Sequence, residues 1–298
     1  MSAIAVVGSW HLAHVTAVCL AGIGHDVSLY FDEPRHPDEP GLRELEAQEI
    51  EMGRLRHEGF ECMTGHQRIV WIAEDVPLDE SESPIADGLF KLAGHLRGVF
   101  SELDVVIVSS QVPLGTCRVL EHQLGAPVAY VPENLRLGTA LHDFSHPDRL
   151  VIGASKAETH EMVKHLLRRF IGLCTLGEGG ITVCSLATAE MIKHATNAFL
   201  ATSISLANEI ARLGARFDVD NAAVTSALRA DSRIGPKAYV RSGAGFAPGT
   251  LARDLKALQW IGKAGGVPTT LVDAVLAVND AAPKPPVRAH DLHLSRKR

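Results

Sequence analysis

The sequence predicts an α/β protein in which a doubly wound parallel sheet is followed by an all-helical domain built on one long helix. Short apolar runs alternate with segments of helical spacing over the first 185 residues, which is typical of a parallel sheet covered by helices. The composition then changes near Leu186, and residues 186–213 contain neither proline nor glycine. We therefore predict two domains, 1–185 and 186–298.

The first elements indicate how the sheet begins. Residues 4–7 form an apolar run that ends at Gly8, residues 11–23 have helical apolar spacing, and residues 27–31 form a second strand-like run. This order of strand, turn, helix and strand is the opening of a Rossmann-type dinucleotide-binding fold. We therefore expect a dinucleotide at the turn after the first strand.

The remaining elements follow from the same patterns. Residues 34–58 are charged and predicted to be helical after Pro40 and Gly41, and the acidic segment 74–84 is predicted to be a loop. Further strands are predicted at residues 69–73, 105–109, 128–131 and 150–153, and helices at 85–99, 186–213, 221–230, 251–264 and 270–279.

Composition and charge exclude several classes of partner. The net charge is -6, and the basic run 295–298 is expected to be a solvated terminus, so no nucleic acid partner is predicted. No apolar run has the length of a bilayer span and no signal peptide is visible, so no membrane partner is predicted. Five scattered cysteines without a paired motif favour a reducing cytoplasm. No metal site is predicted; His290 and His293 offer at most adventitious binding.

Five segments, in order along the chain, resemble the UDP-glucose/GDP-mannose dehydrogenase family. The strongest resemblance is to the family's long central helix, at residues 189–201, which read Ala-Glu-Met-Ile-Lys-His-Ala-Thr-Asn-Ala-Phe-Leu-Ala. The other segments lie at 112–116, 132–149, 231–237 and 243–258. The resemblance implies an NAD-dependent oxidoreductase and a homodimer whose core is formed by the long helix. Family enzymes continue with a third domain that binds the nucleotide part of the substrate, and we expect that domain to be absent here.

Two residues four positions apart on the long helix are the first catalytic candidates. Lys193 and Asn197 share one helix face, and an amine beside an amide can stabilise a developing alkoxide; the resemblance assigns both this role. The resemblance also makes Asp254 the carboxylate that activates a water or the substrate hydroxyl, although an acid near a helix N-terminus is the alternative explanation. Glu133 resembles the glutamate that contacts the sugar, and Leu137 stands where a second family glutamate is expected.

The position of the family's nucleophilic cysteine is occupied by Thr250, after the run 247–249. A thioester requires a thiolate, and a threonine hydroxyl without an adjacent base does not replace it. We therefore expect the second oxidation, from aldehyde to acid, to be missing. Arg233 resembles an arginine that reaches the substrate of a neighbouring subunit, and a structural salt bridge is the alternative for this residue.

The predicted cofactor loop departs from the G-x-G-x-x-G fingerprint. Gly8 is kept, whereas Trp10 and Ala13 replace the second and third glycines. Asp32, just after the second strand, is the predicted ribose partner. The complete set of predicted NAD-binding residues is Gly8, Trp10, His11, Leu12, Asp32, Ser110 and Gln111.

Three hypotheses for function remain open at this point. The first is an NAD-dependent oxidoreductase that oxidises a CH–OH group of a sugar or nucleoside in one two-electron step, without forming a uronic acid. The second is a redox-neutral dehydratase, lyase or epimerase that uses tightly bound NAD. The third is a catalytically inactive relative of the family.

Overall fold

The computed structural model describes residues 1–32, 38–74, 76, 85–173, 180–247 and 250–283, except for the side chains of 169–173 and 250. The basic run and the two histidines near the C-terminal end therefore lie outside the described residues. Contacts divide the chain into two compact units, the first made of Met1–Val76 and Ala86–Met191, the second containing the chain from Ile192 onward. The predicted boundary between residues 185 and 186 stays a prediction.

The first unit is built on one sheet, with eight strands in the described part of the chain. The strands are β1 Ala3–Val7, β2 Asp26–Phe31, β3 Leu55–Gly59, β4 Ile69–Ile72, β5 Val105–Val108, β6 Val128–Tyr130, β7 Leu150–Ala154 and β8 Ile181–Cys184. Their order in the sheet is β3-β2-β1-β4-β5-β6-β7-β8. All neighbouring pairs are parallel except β6 and β7, which are antiparallel. The order reverses between β1 and β4, and ligands of such sheets bind at the carboxyl ends of the strands at this switch point.

Helices surround this sheet in the first unit. They are α1 His11–Gly22, α2 Leu42–Glu51, α3 Asp87–Val99, α4 Thr116–Leu124, α5 Ala140–Ser145 and α6 Ala157–Leu173, with a single 3₁₀ turn at Phe60–Cys62. Strands β4 and β5 are entirely buried, as expected for central strands with both faces covered. Helix α1 is also buried along almost its whole length, so it forms part of the main core rather than a surface.

The second unit is helical in its described residues. It contains α8 Asn221–Ala230, α9 Thr250–Gly265 and α10 Thr270–Asp280, together with most of α7 Leu186–Gly214. Asp220 caps α8 by accepting hydrogen bonds from the amides of Ala222 and Ala223. A small apolar core forms around Ala201 and Leu255. None of the described helices is both long and apolar enough to cross a membrane.

The predicted fold class is confirmed, and the sheet differs from the prediction at two places. Residues 55–58, predicted to continue a helix, form edge strand β3, because the helix ends at Glu51 and the chain turns through Gly53 at φ +69°. The run Leu-Arg-His-Glu-Gly carries one buried apolar residue, so its pattern does not indicate a strand. Strand β8 was likewise not predicted, and only partly buried or exposed residues form it.

Candidate active site and cofactor-binding loop

The turn after β1 requires a glycine. Gly8 has φ +154°, a conformation that L side chains rarely adopt. A Cβ at this position would lie 2.6 Å from the carbonyl oxygen of Ala73 and 2.8 Å from the Cβ of Ala13. Because Ala73 directly follows β4, the turn is packed against the switch point of the sheet. The first glycine of the fingerprint therefore has its expected structural role, and Ala13 packs against it in place of the third.

The second fingerprint position does not require glycine in this turn. Trp10 is the N-cap of α1 and has φ −130°, an extended conformation open to any residue. None of the described side chains caps the N-terminus of α1, and the N-terminus of a helix favours anions such as a pyrophosphate. One nearby donor is engaged, since the Ser9 amide donates to the Glu74 carboxylate at 3.2 Å.

The side chain of His11, a predicted cofactor-binding residue, contacts a carboxylate. Its Nε2 lies 2.9 Å from Glu39, which also accepts hydrogen bonds from the amides of Gly138 and Ala140, each at 2.8 Å. Burial raises the pKa of Glu39, but these hydrogen bonds outweigh burial and hold it below its ordinary value. Glu39 thus joins α1 to the loop before α5. The neighbouring Leu12 packs against the apolar core.

The other predicted cofactor residues lie at the carboxyl ends of β2 and β5. Asp32 is exposed and directly follows β2. Ser110 and Gln111 follow β5, and their Oγ and Nε2 atoms are buried without a hydrogen-bond partner among the described residues. Buried polar atoms without partners are rare, and a bound ligand, ion or water can complete their hydrogen bonding. With the turn at Gly8, these residues fit a dinucleotide.

In the second unit, three predicted catalytic residues are all buried. Lys193 and Asn197 lie on α7, and Asp254 lies on α9. The Asn197 side-chain amide donates to Asp254 Oδ2, and His194 Nδ1 donates to Asp254 Oδ1 at 2.6 Å. The Asp254 carboxylate is fully buried and both oxygens accept a hydrogen bond. Asp254 is therefore placed to hold Asn197 and His194 in fixed orientations.

His194 is a site residue that the sequence reasoning missed. It lies three positions before Asn197 on α7, so the two side chains share a helix face and both reach Asp254. That spacing is the signal that would have found it. Glu190, also fully buried, was missed too: its carboxylate accepts from the amides of Gly115 and Cys117 at 2.6 and 2.8 Å, at the start of α4.

The remaining predicted site residues differ in their surroundings. Glu133 is partly buried in the loop after β6 and lies close enough to Cys19 to affect its titration. Thr250 begins α9, and its side chain lies outside the described residues. Arg233 is exposed and forms a two-bond ion pair with Asp231 at 2.7 and 3.0 Å. The salt-bridge alternative thus describes Arg233 in the isolated chain.

The described cysteines are poor candidates for a replacement nucleophile. Burial raises the pKa of Cys19 to about 12, and burial also raises that of Cys117 well above its ordinary value. Burial also raises the pKa of Cys184. Every cysteine of the sequence precedes residue 192, so none belongs to the stretch that carries Lys193, Asn197 and Asp254.

A Rossmann-type sheet with a dinucleotide turn, followed by a helical unit with a buried lysine, asparagine and aspartate, defines an NAD-dependent dehydrogenase. Comparison with known proteins identifies the family. Residues 2–171 match the NAD binding domain, and residues 187–281 the central domain, of the UDP-glucose/GDP-mannose dehydrogenase family. The chain belongs to this family, which confirms the predicted family, the enzyme class and NAD as cofactor.

Individual relatives support the same assignment. The chain is 30% identical to UDP-glucose 6-dehydrogenase AglM of Haloferax volcanii over 94% of this chain and 70% of the relative. It is 32% identical to UDP-glucose 6-dehydrogenase YwqF of Bacillus subtilis over 93% and 66%. The structure of a UDP-glucose dehydrogenase from Pyrobaculum islandicum matches with a TM-score of 0.84 and 30% identity, over 94% of this chain and 68% of that one. The chain thus spans about two thirds of the length of these relatives.

Proposed function

We propose that this protein oxidises a CH–OH group of a sugar-containing substrate, such as a sugar nucleotide or a nucleoside, in one two-electron step with NAD. The observation that carries the proposal is the buried set Lys193, Asn197 and Asp254 in a stretch of chain without cysteine. Such a set suits alcohol oxidation, because the oxygen of the substrate becomes more negative as the hydride leaves.

The residues of the second unit divide this work. The Lys193 ammonium and the Asn197 amide, four positions apart on α7, would stabilise the developing alkoxide by charge and hydrogen bond. Asp254 fixes the Asn197 amide and the His194 ring, so that neither needs to reorient during the reaction. Such preorganised donors are more effective than mobile ones because no reorganisation is paid in the transition state.

Cofactor binding belongs to the first unit. The turn at Gly8 and the uncapped N-terminus of α1 would hold the pyrophosphate, Asp32 the ribose, and Ser110 and Gln111 further polar groups. Hydride acceptance is the chemistry that NAD supplies when bound.

The reaction is proposed to end at the carbonyl. Capture of an aldehyde for a second oxidation needs a thiolate, and Thr250 stands at the family's cysteine position. Buried Cys19 and Cys117 have raised pKa values and remain protonated thiols near neutral pH. No uronic acid is therefore expected.

The test uses the full chain, NAD and UDP-glucose, the sugar nucleotide in the names of the relatives. NADH is followed by absorbance and products by mass spectrometry. One NADH per carbonyl product is expected. Two NADH per uronic acid would overturn the one-step proposal. An altered product without net NADH would favour the redox-neutral alternative. Absence of NAD binding in calorimetry, together with absence of product from a panel of sugar nucleotides and nucleosides, would favour the inactive alternative.

Variants connect the reaction to the site. Lys193→Ala is expected to lower kcat by about 10²–10³-fold, the usual cost of one alkoxide-stabilising donor. The matched control is Lys263→Ala, at an exposed lysine on α9. Circular dichroism of both variants must match the unmodified protein. Equal activities of the two variants would contradict the assigned role of Lys193.

We also propose a homodimer formed through α7. Phe199, Leu206 and Leu213 recur every seven residues on this helix and are 74%, 53% and 62% exposed. Side chains at this spacing share one face, and an apolar helix face is stabilised by packing against another surface. Leu206→Lys is expected to convert a dimer to a monomer in light scattering, whereas Lys263→Glu, a change of charge at an exposed position of a different helix, α9, should not. A monomeric unmodified protein would overturn this proposal.

A further inference from the structure

Two histidines and a glutamate, none of them a predicted site residue, meet at the edge of the sheet. His14 lies on α1, Glu46 on α2 and His57 on edge strand β3. One ligand atom from each residue can be chosen so that all three lie within 4.8 Å of one another. We call this set the His14–Glu46–His57 cluster. Its members are separated by 32 and 11 residues, so no local spacing in the sequence indicates it.

The surroundings of the cluster are largely apolar and closed. His14 is 1% exposed and Glu46 is 6% exposed, while the His57 side chain is 24% exposed and opens the cluster to solvent on one side. The Phe31 ring packs on both histidines, with ring centroids 6.1 Å from His14 and 5.6 Å from His57. Two of the three ligand groups are therefore almost fully removed from water, and both imidazoles lie against an aromatic ring.

The charge and hydrogen bonding inside the cluster are incomplete. Glu46 lies 2.6 Å from His14 Nδ1 and 3.8 Å from His57 Nε2, and no lysine or arginine of the described chain forms an ion pair with it. The second ring nitrogen of His14, Nε2, is buried and has no hydrogen-bond partner among the described residues. A buried carboxylate without a lysine or arginine partner carries a desolvation cost, and so does a buried imidazole nitrogen without a hydrogen-bond partner.

We propose that the His14–Glu46–His57 cluster binds a divalent transition-metal ion of the zinc type. Two imidazoles and one carboxylate are a donor set that zinc accepts, with water completing the coordination. Zinc bonds of about 2.0–2.2 Å place tetrahedral ligands roughly 3.4 Å apart, so atoms already within 4.8 Å need only small shifts. The ion would place positive charge beside the buried Glu46 carboxylate and take one lone pair from each imidazole.

The metal would fasten the edge of the sheet. Among the described strands, β3 pairs only with β2, and all but one of its residues are partly exposed, so apolar packing stabilises it little. An ion bound to α1, α2 and β3 links this edge strand to two helices, and binding to the folded state alone raises the melting temperature. The role is structural and independent of the oxidoreductase reaction proposed above.

The experiment uses the full chain carrying His290→Ala and His293→Ala, so that the two histidines near the end of the sequence do not contribute. After chelator treatment and dialysis, calorimetry with Zn²⁺ is expected to show one ion per chain, and Zn²⁺ to raise Tm. Co²⁺, a visible stand-in for Zn²⁺, is expected to give the strong absorption bands of a four-coordinate site. Less than about half an ion per chain would overturn the proposal.

Variants of the cluster make the assignment specific. Glu46→Gln preserves shape, and His57→Gln alters the most exposed member, so both should fold and both should lose the stoichiometric ion. The control is His142→Ala with His146→Ala, at an exposed stacked histidine pair formed by α5 and its C-cap, whose ring centroids are 4.8 Å apart. This control should keep one ion per chain. Retention of the ion by both cluster variants, or its loss in the control alone, would refute the site.

Discussion

The replacement of Asp254 by asparagine tests the central contact of the candidate site without knowledge of the substrate. In the structure, Asp254 accepts hydrogen bonds from His194 Nδ1 and from the Asn197 side-chain amide. An asparagine keeps the shape but offers one oxygen and one NH₂ group, so either one of the two buried donors faces another donor or the proton of the His194 ring must move from Nδ1 to Nε2. A buried donor left without its acceptor costs about 1–3 kcal/mol.

The expected effect is a measurable loss of stability. A decrease of about 2 kcal/mol in the free energy of unfolding corresponds to a decrease in Tm of roughly 4–8 °C for a chain of this size. The assay is thermal unfolding followed by circular dichroism at neutral pH, with intrinsic fluorescence as a second probe.

The matched control is the same substitution at an exposed carboxylate. Asp273, on α10, accepts hydrogen bonds from Gln259 at 2.7 Å and Thr269 at 3.2 Å, but it is open to solvent. Asp273→Asn should change stability by no more than about 0.5 kcal/mol, because water replaces the lost hydrogen bonds. If Asp254→Asn melted within the error of Asp273→Asn, the buried network around Asp254 would not exist as described.

Three further predictions concern the first unit. Gly8→Ala should lower the free energy of unfolding by about 1–3 kcal/mol and weaken NAD binding in calorimetry, because the Cβ of the alanine would lie 2.6 Å from a backbone carbonyl oxygen. The control is Gly88→Ala on α3, where a Cβ meets nothing within 4 Å, and it should not destabilise the protein. Glu39→Gln should lower the free energy of unfolding at neutral pH, measured by urea titration. The pKa of Glu39 is lowered in the folded state, so its carboxylate stabilises the fold above the ordinary carboxyl pKa of about 4.3, and the difference in stability between the two proteins should shrink as the pH falls below that value. A difference that does not change with pH would contradict the argument. A thiol reagent at pH 8 should modify exposed Cys62 before Cys19, whose pKa is raised to about 12, as peptide mapping can show; equal rates would refute this.

Much of the fold follows from local patterns. Central strands β1, β4 and β5 are uninterrupted apolar runs, because both of their faces are covered, and such runs are visible in the sequence. Helix α7 extends over residues 186–214, close to the predicted 186–213, because the segment lacks proline and glycine until its end. Edge strands β3 and β8 are only partly buried, so their polar sequences do not reveal them.

The part of the candidate site that could be predicted from residue spacing is the part that lies on one helix. Lys193 and Asn197 are four residues apart, and the period of a helix puts them on one face whatever surrounds them. The contacts that Asp254 and His11 make in the structure join separate elements and were not predicted. Asp254 gives both oxygens to α7, and His11 contacts Glu39, which is 28 residues away. Neither partner could be selected from the many carboxylates and histidines of the sequence.

The sequence by itself determined the α/β class, the family, the turn at Gly8 and the absence of a cysteine at residue 250, because each depends on residue identity or on spacing within one element. Only the tertiary structure decided that His194 shares Asp254 with Asn197, and that His14, Glu46 and His57 come together. These contacts join residues 11 to 60 positions apart on different elements. The periodicity of a helix or strand sets which face a side chain occupies, but only the packing of elements against one another sets what that face meets.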